Sequence, residues 1–132
     1  MKGYSQNIEE QTEANNKYRK VLYTSKYSQL VLMSLEPKQE IGLETHQNND
    51  QFFRIESGNG RAVIDGHEYQ LSNGSAVIVP AGATHNIINE SDSEPLKLYT
   101  IYSPAHHKDG VEFTNKDTAE ASKEEFDGET TE

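Results

Sequence analysis

The chain has 132 residues and a net charge of −10, with 22 acidic side chains against 12 Lys and Arg and 33% hydrophobic residues. That length suits one domain with a single sizeable core, and the acidic balance excludes nucleic acid as the expected partner, because phosphate binding needs clustered cations. No apolar run approaches the ~20 residues of a membrane helix, and the absence of cysteine leaves only His, carboxylate and amide groups for any metal site.

Residues 1–17 are polar, with Met1, Tyr4, Ile8 and Ala14 scattered among them, and read as a loose extension. They lack a signal peptide's apolar core, so the expected location is cytoplasmic. Arg19 to Thr24 is short and β-prone, and Ser28 to Leu35 is a longer apolar run that Pro37 ends. Ile41 to His46 reads as a strand, Asn48-Asn49-Asp50 as a turn, and Gln51 to Glu56 as another strand. After the Gly58-Asn59-Gly60 turn, Arg61 to Asp65 and His67 to Leu71 form a hairpin around Asp65-Gly66. Ser75 to Val79, His85 to Asn89 and Leu96 to Tyr102 complete the set. Nothing between residues 18 and 110 carries a helical period, so these strands predict an antiparallel sandwich or barrel. Residues 111–132 hold eight acids against Lys116 and Lys123, which places about −6 of the charge in a tail expected to be solvated and frayed.

Alternate residues of a strand share a face. Glu44 and His46 therefore point together, as do Gln51, Phe53 and Ile55, and as do His85, Ile87 and Asn89. If Phe53, Ile55 and Ile87 face inward, so do Gln51 and His85, and Glu44 and His46 join them across the turn. A carboxylate and two imidazoles are costly inside an apolar barrel. A divalent cation offsets that cost, and this donor set suits zinc, iron, manganese, nickel or cobalt, with positions left open for substrate or water.

Gly74, Pro80, Gly82, His85 and Asn89 match the second conserved motif of the cupin superfamily at each fixed position. The first motif, a His-any-His pair followed by a Glu and then a Gly, is similar to the run from Glu44 to Gly58, with His46 and Gly58 in place. Glu44 stands where the first His is usual and Gln51 where the Glu is usual. The resemblance extends over about residues 19–110 and is strongest to small single-domain cupins of the mannose-6-phosphate isomerase-like group. It implies a double-stranded β-helix, or jelly-roll barrel, a homodimer, and four metal-ligand positions: Glu44, His46, Gln51 and His85. It also implies a small polar or sugar-type substrate and aldose–ketose isomerisation. Two other functions fit the same residues: a non-haem metal dioxygenase, and a module that binds a small molecule or carbohydrate without turnover.

The remaining polar groups read more plainly. His67, beside the hairpin turn, is expected at the surface, and His106-His107 with Asp109 in a surface loop. Arg54 has the parity to point away from the cavity, Arg61 has no placement, and Tyr99 and Tyr102 have opposite parity, so one can face the cavity.

Overall fold

The computed structural model describes all 132 residues, which build two antiparallel sheets packed face to face. In chain order the elements are α1 (Ile8–Ala14), β1 (Arg19–Thr24), β2 (Gln29–Leu35), β3 (Glu44–Thr45), β4 (Asp50–Ser57) and β5 (Gly60–Ile64). There follow β6 (His67–Leu71), β7 (Ala76–Val79), β8 (Thr84–Asn89), β9 (Leu96–Ser103), β10 (Glu112–Phe113) and α2 (Lys116–Ala121). The large sheet runs β10-β1-β2-β9-β4-β7 and the small one β3-β8-β5-β6. This is the jelly-roll barrel that the strand pattern and the resemblance both imply.

The core between the sheets is built from alternate residues. Val31, Met33 and Leu35 of β2, Phe53 and Ile55 of β4, and Leu96 and Leu98 of β9 meet Ala62 of β5 and Ile87 of β8. Phe53, Ile55 and Ile87 are fully buried, and Gln51 and His85 are buried on the same faces. The parity reading of these strands therefore holds. Burying a side chain of this size contributes ~1.5–3 kcal/mol, which sets strand register more firmly than any single turn does.

Three features depart from expectation. The strand expected from Ile41 to His46 keeps only Glu44 and Thr45 in a ladder, opposite His85 and Thr84. Gly42 adopts φ +102° and Leu43 turns out to solvent, so the chain before β3 kinks and only Glu40 bridges Ile88. Glu44 then meets β8 from this two-residue strand, and His46 from the loop that follows it.

The N-terminal extension is ordered against the barrel. Asn7 caps α1 by accepting from the Glu10 N–H at 3.0 Å, and Glu9 and Glu10 face the positive end of the helix dipole. The buried Lys97 of β9 then ties down the helix end by donating to Asn15 O and Asn16 Oδ1. The C-terminal tail, expected to fray, instead adds β10 beside β1, packs Ala119 of α2 into the core, and returns across the barrel. Its last residues bond to the start of the chain: Thr131 N–H donates to Thr24 O, and the Glu132 carboxylate accepts from the Tyr23 hydroxyl and the Gly3 N–H. These are polar contacts between segments more than a hundred residues apart, and no local pattern encodes them.

Candidate metal centre

Three of the four expected ligands converge at one end of the barrel. β3 pairs with β8 so that Glu44 lies opposite His85, and His46 follows two residues later on the same side. Glu44 Oε2 lies 3.2 Å from His46 Nε2 and 3.9 Å from His85 Nε2. One ligand atom from each residue falls within 4.8 Å of the others. Donors bonded at ~2.0–2.2 Å to a common cation stand ~3–4 Å apart, so the set is sized for one ion.

The proton positions also suit a cation. Nδ1–H of His85 donates to Ala83 O at 3.4 Å, which leaves the Nε2 lone pair facing Glu44. Burial holds the His85 imidazole below its usual range, partly offset by the Ala83 carbonyl and the Glu44 carboxylate, so it is neutral near pH 7. Burial pushes the Glu44 carboxyl up. The hydrogen bond and charge of His46, the Arg19 guanidinium and His85 more than reverse this, and Glu44 is left below the usual carboxylate range. A lone pair on His85 Nε2 and an ionised Glu44 carboxylate are the states a metal requires of these two groups.

Gln51 enters from β4. Its Nε2 donates to Thr100 Oγ1 at 3.0 Å, so the other end of the amide, Oε1, is the free one. Oε1 is buried without a partner, and so is His85 Nε2. Buried polar atoms are rarely left unpaired, and here two of them belong to the four expected ligand positions. Tyr102 links Gln51 to the cluster: it lies opposite Gln51 in the β4–β9 register, and its ring centroid is 5.8 Å from that of His46.

The surface-loop expectation for His106 and His107 is overturned. The His106 ring sits 4.3 Å from that of His46 and stacks on Tyr102 at 5.2 Å. His107 is buried, accepting from the Tyr102 hydroxyl at Nε2 (3.1 Å) and donating from Nδ1 to Glu124 Oε1 (2.7 Å). The segment is a loop, but buried amides fix it. Gln29 Oε1 accepts from the N–H groups of both histidines while its Nε2 donates to His107 O. Asn49 Nδ2 donates to Pro104 O and Ala105 O. The available signal was Gln29, an amide opening a mostly apolar strand.

Other polar groups fall elsewhere. His67 is exposed as expected. Arg54 lies near Glu56, and Arg61 pairs with Glu68 and Glu90. Tyr99 packs on Phe52, so Tyr102 is the tyrosine that faces inward.

The Glu124–His107 pair fixes a pH dependence. Burial pulls His107 below its usual value of 6.5, so as pH falls through 6.5 the unfolded chain takes up a proton that the folded chain refuses. Glu124 is pushed up by burial but held below its usual 4.5 by the His107 and Lys108 hydrogen bonds. Both shifts give stability that is present at neutral pH and lost on acidification. We expect Glu124→Gln to cost about 2 kcal/mol at pH 7. The gap to wild type in urea unfolding should shrink as pH falls below 4.5, the usual value. A gap that stays constant down to acid pH would refute this coupling.

Comparison with known proteins places this geometry in a family. Residues 31–102 match the cupin domain family, Cupin_2. An uncharacterized protein of Acanthamoeba polyphaga mimivirus is 47% identical over 110 residues, covering 81% of this chain and 69% of that protein. The uncharacterized protein YrkC of Bacillus subtilis (strain 168) is 42% identical over 124 residues, covering 89% of this chain and 66% of that one. The chain thus spans about two thirds of the length of these two relatives. The crystal structure of BH2720 from Bacillus halodurans superposes with a TM-score of 0.87 at 35% identity, covering 90% of this chain and 94% of that one. The matched stretch contains Glu44, His46, Gln51 and His85, and the chain belongs to the cupin domain family.

Proposed function

We propose that Glu44, His46 and His85, with Gln51 as a fourth donor through Oε1, hold one divalent transition metal and form the active centre of an enzyme acting on a small polar molecule. The observation that carries this reading is the pair of partnerless buried atoms, His85 Nε2 and Gln51 Oε1, beside a carboxylate shared by two imidazoles. Zinc, iron, manganese, nickel and cobalt all accept two imidazoles, a carboxylate and an amide oxygen. When bound, such an ion would act as a Lewis acid toward a substrate oxygen.

The chain's own groups supply the rest. Glu44 offsets part of the cation's charge. Burial, His107 and His46 bring His106 down to about 4, so at neutral pH it is an uncharged imidazole that can hydrogen-bond a polar substrate but is too weak a base to hold its proton. Its ring lines a cavity of about 370 Å³ together with His46, Asn49 and Phe126. A neutral imidazole beside the centre suits the orientation of a polar substrate there. In the mannose-6-phosphate isomerase-like reading that substrate is a sugar, and aldose–ketose isomerisation moves a proton between its neighbouring carbons. The two-His, one-carboxylate set favours a second reading, a non-haem iron dioxygenase.

Elemental analysis of the purified protein tests the shared part of these readings, with about one transition metal per chain as the expected result. A wild type that neither carries nor takes up metal sinks both, and leaves a module that binds its ligand without turnover. With metal present, substrate-dependent oxygen uptake selects the dioxygenase, and sugar interconversion without uptake selects the isomerase.

A further inference from the structure

Arg19 opens β1 with its side chain inward, on the same face as the core residue Val21 and opposite Met33 of β2. It is only 9% exposed, and its Nε is buried without a hydrogen-bond partner. None of the chain's ion pairs includes it. Its one close aromatic contact is the face of the Tyr18 ring, 5.3 Å from the guanidinium carbon, and Glu44 and Glu124 feel its charge only from beyond ion-pair distance. A buried guanidinium without a hydrogen-bonded counter-charge is expensive.

Arg19 lines a cavity of about 180 Å³ together with Tyr18, Ile41, Glu44, His107 and Glu124. Glu44 belongs to the candidate metal centre, so one wall of the cavity is a guanidinium fork and another is a metal-ligand residue. Sites for drug-sized ligands run ~300–1,000 Å³, so the occupant here is smaller. The carboxylates around the cavity are committed elsewhere. Glu124 accepts from His107 and the Lys108 N–H, Glu120 sits at the exposed rim with Lys116, and Glu44 faces the two metal-site histidines.

We propose that this cavity binds a small organic carboxylate, with the carboxylate on Arg19 and a second oxygen function of the same molecule directed at the Glu44–His46–His85 centre. The proposal rests on the metal reading above and adds the substrate class to it. A guanidinium matches one carboxylate through two parallel N–H donors. One unpaired cation balances one negative charge. A phosphate dianion would bring two charges to a cavity that holds one free cation and three carboxylates. With Glu44 and Glu124 alone the lining is net negative, so the anion enters only when the metal has neutralised Glu44.

Isothermal titration with glycolate, a monoanion with a second oxygen function, tests this on wild type, Arg19→Gln, Arg19→Met and Arg19→Lys, each first assayed for metal content and for folding by circular dichroism. We expect glycolate to bind metal-loaded wild type, and to bind chelator-treated wild type at least tenfold more weakly. Arg19→Gln and Arg19→Met should lose at least tenfold in affinity at unchanged metal content, with Arg19→Lys in between, because it keeps the charge but not the fork. Equal affinity in Arg19→Gln and wild type, both metal-loaded, overturns the carboxylate site and leaves the metal centre standing. Tighter binding of inorganic phosphate than of glycolate overturns the choice of carboxylate. Metal loss in the Arg19 variants overturns it too, by making Arg19 a support of the centre. A wild type without metal fails at the earlier reading, before any titration is made.

Discussion

His85→Ala is expected to weaken metal binding by more than about 100-fold, beyond the 10–100-fold typical when only a residue supporting a ligand is changed. The argument begins with the metal-free chain. His85 is buried against Phe53, with ring centroids 6.1 Å apart, and its Nε2 has no partner. Truncation leaves a cavity, which costs stability, but it also removes a buried unpaired acceptor, worth about 1–3 kcal/mol in the opposite direction. The two effects largely cancel, and the metal-free variant should melt close to metal-free wild type. Adding metal separates them. A ligand at one hundred times its Kd stabilises the folded state by about 2.7 kcal/mol, so wild type gains several degrees in Tm. The variant gains little at the same concentration. Differential scanning calorimetry of both proteins, with chelator and with each candidate metal, reads this directly. An equal metal-induced rise in the two would show that His85 is an ordinary core histidine and that the ion binds elsewhere.

Much of this centre was legible because it depends on strand parity. Gln51 is tied to Phe53 and Ile55, and His85 to Ile87, by a two-residue repeat, and once the apolar members are buried the polar members must follow. Glu44 and His46 needed only their spacing and a partner strand. The motif from Gly74 to Asn89 fixed the turn that delivers His85 and pointed to the family. The groups that surround the centre were not legible in this way. His106 and His107 reach it from a loop, Glu124 holds His107 from seventeen residues further on, and Lys97 holds the N-terminal helix from across the barrel. These are single polar contacts, with no period to announce them. Their acceptors, Glu124 for His107 and Asn15 and Asn16 for Lys97, come from the two terminal segments that composition marks as loose. Arg19 was hidden for a related reason: in a short β-prone run a cation reads as an outward residue, and only the pairing of β1 with β2 turns it inward.

Asn89 shows that one motif can serve the frame as well as the site. Four residues past His85 and on the same face, it is fully buried, and none of its hydrogen bonds goes to Glu44, His46, Gln51 or His85. Its Nδ2 donates to Leu35 O at 3.1 Å, Glu36 O at 3.0 Å and Glu94 O at 2.9 Å, and its Oδ1 accepts from the Ser91 N–H at 3.0 Å. One amide thus joins the end of β2 to the loop between β8 and β9, closing the barrel at the end of β8 away from His85. Asn89→Ala strands the buried Leu35 carbonyl and leaves the others to whatever water can enter, at a cost of about 3 kcal/mol. Asn89→Asp is the sharper test, because it keeps the shape and loses the donor. At neutral pH it points a carboxylate at three carbonyl oxygens, so it should destabilise at least as much as alanine does. Urea unfolding of both variants at pH 7 measures this, with an unchanged m-value showing that the same surface unfolds. If Asn89→Asp stays within about 1 kcal/mol of wild type, the net worth of an ordinary hydrogen bond, the amide is not what closes the barrel. Folded Asn89→Asp protein should bind metal as wild type does if the proposed centre is correct, since Glu44, His46, Gln51 and His85 are untouched. Loss of metal from a fully folded variant would mean instead that the position of β8 sets the reach of His85 into the centre.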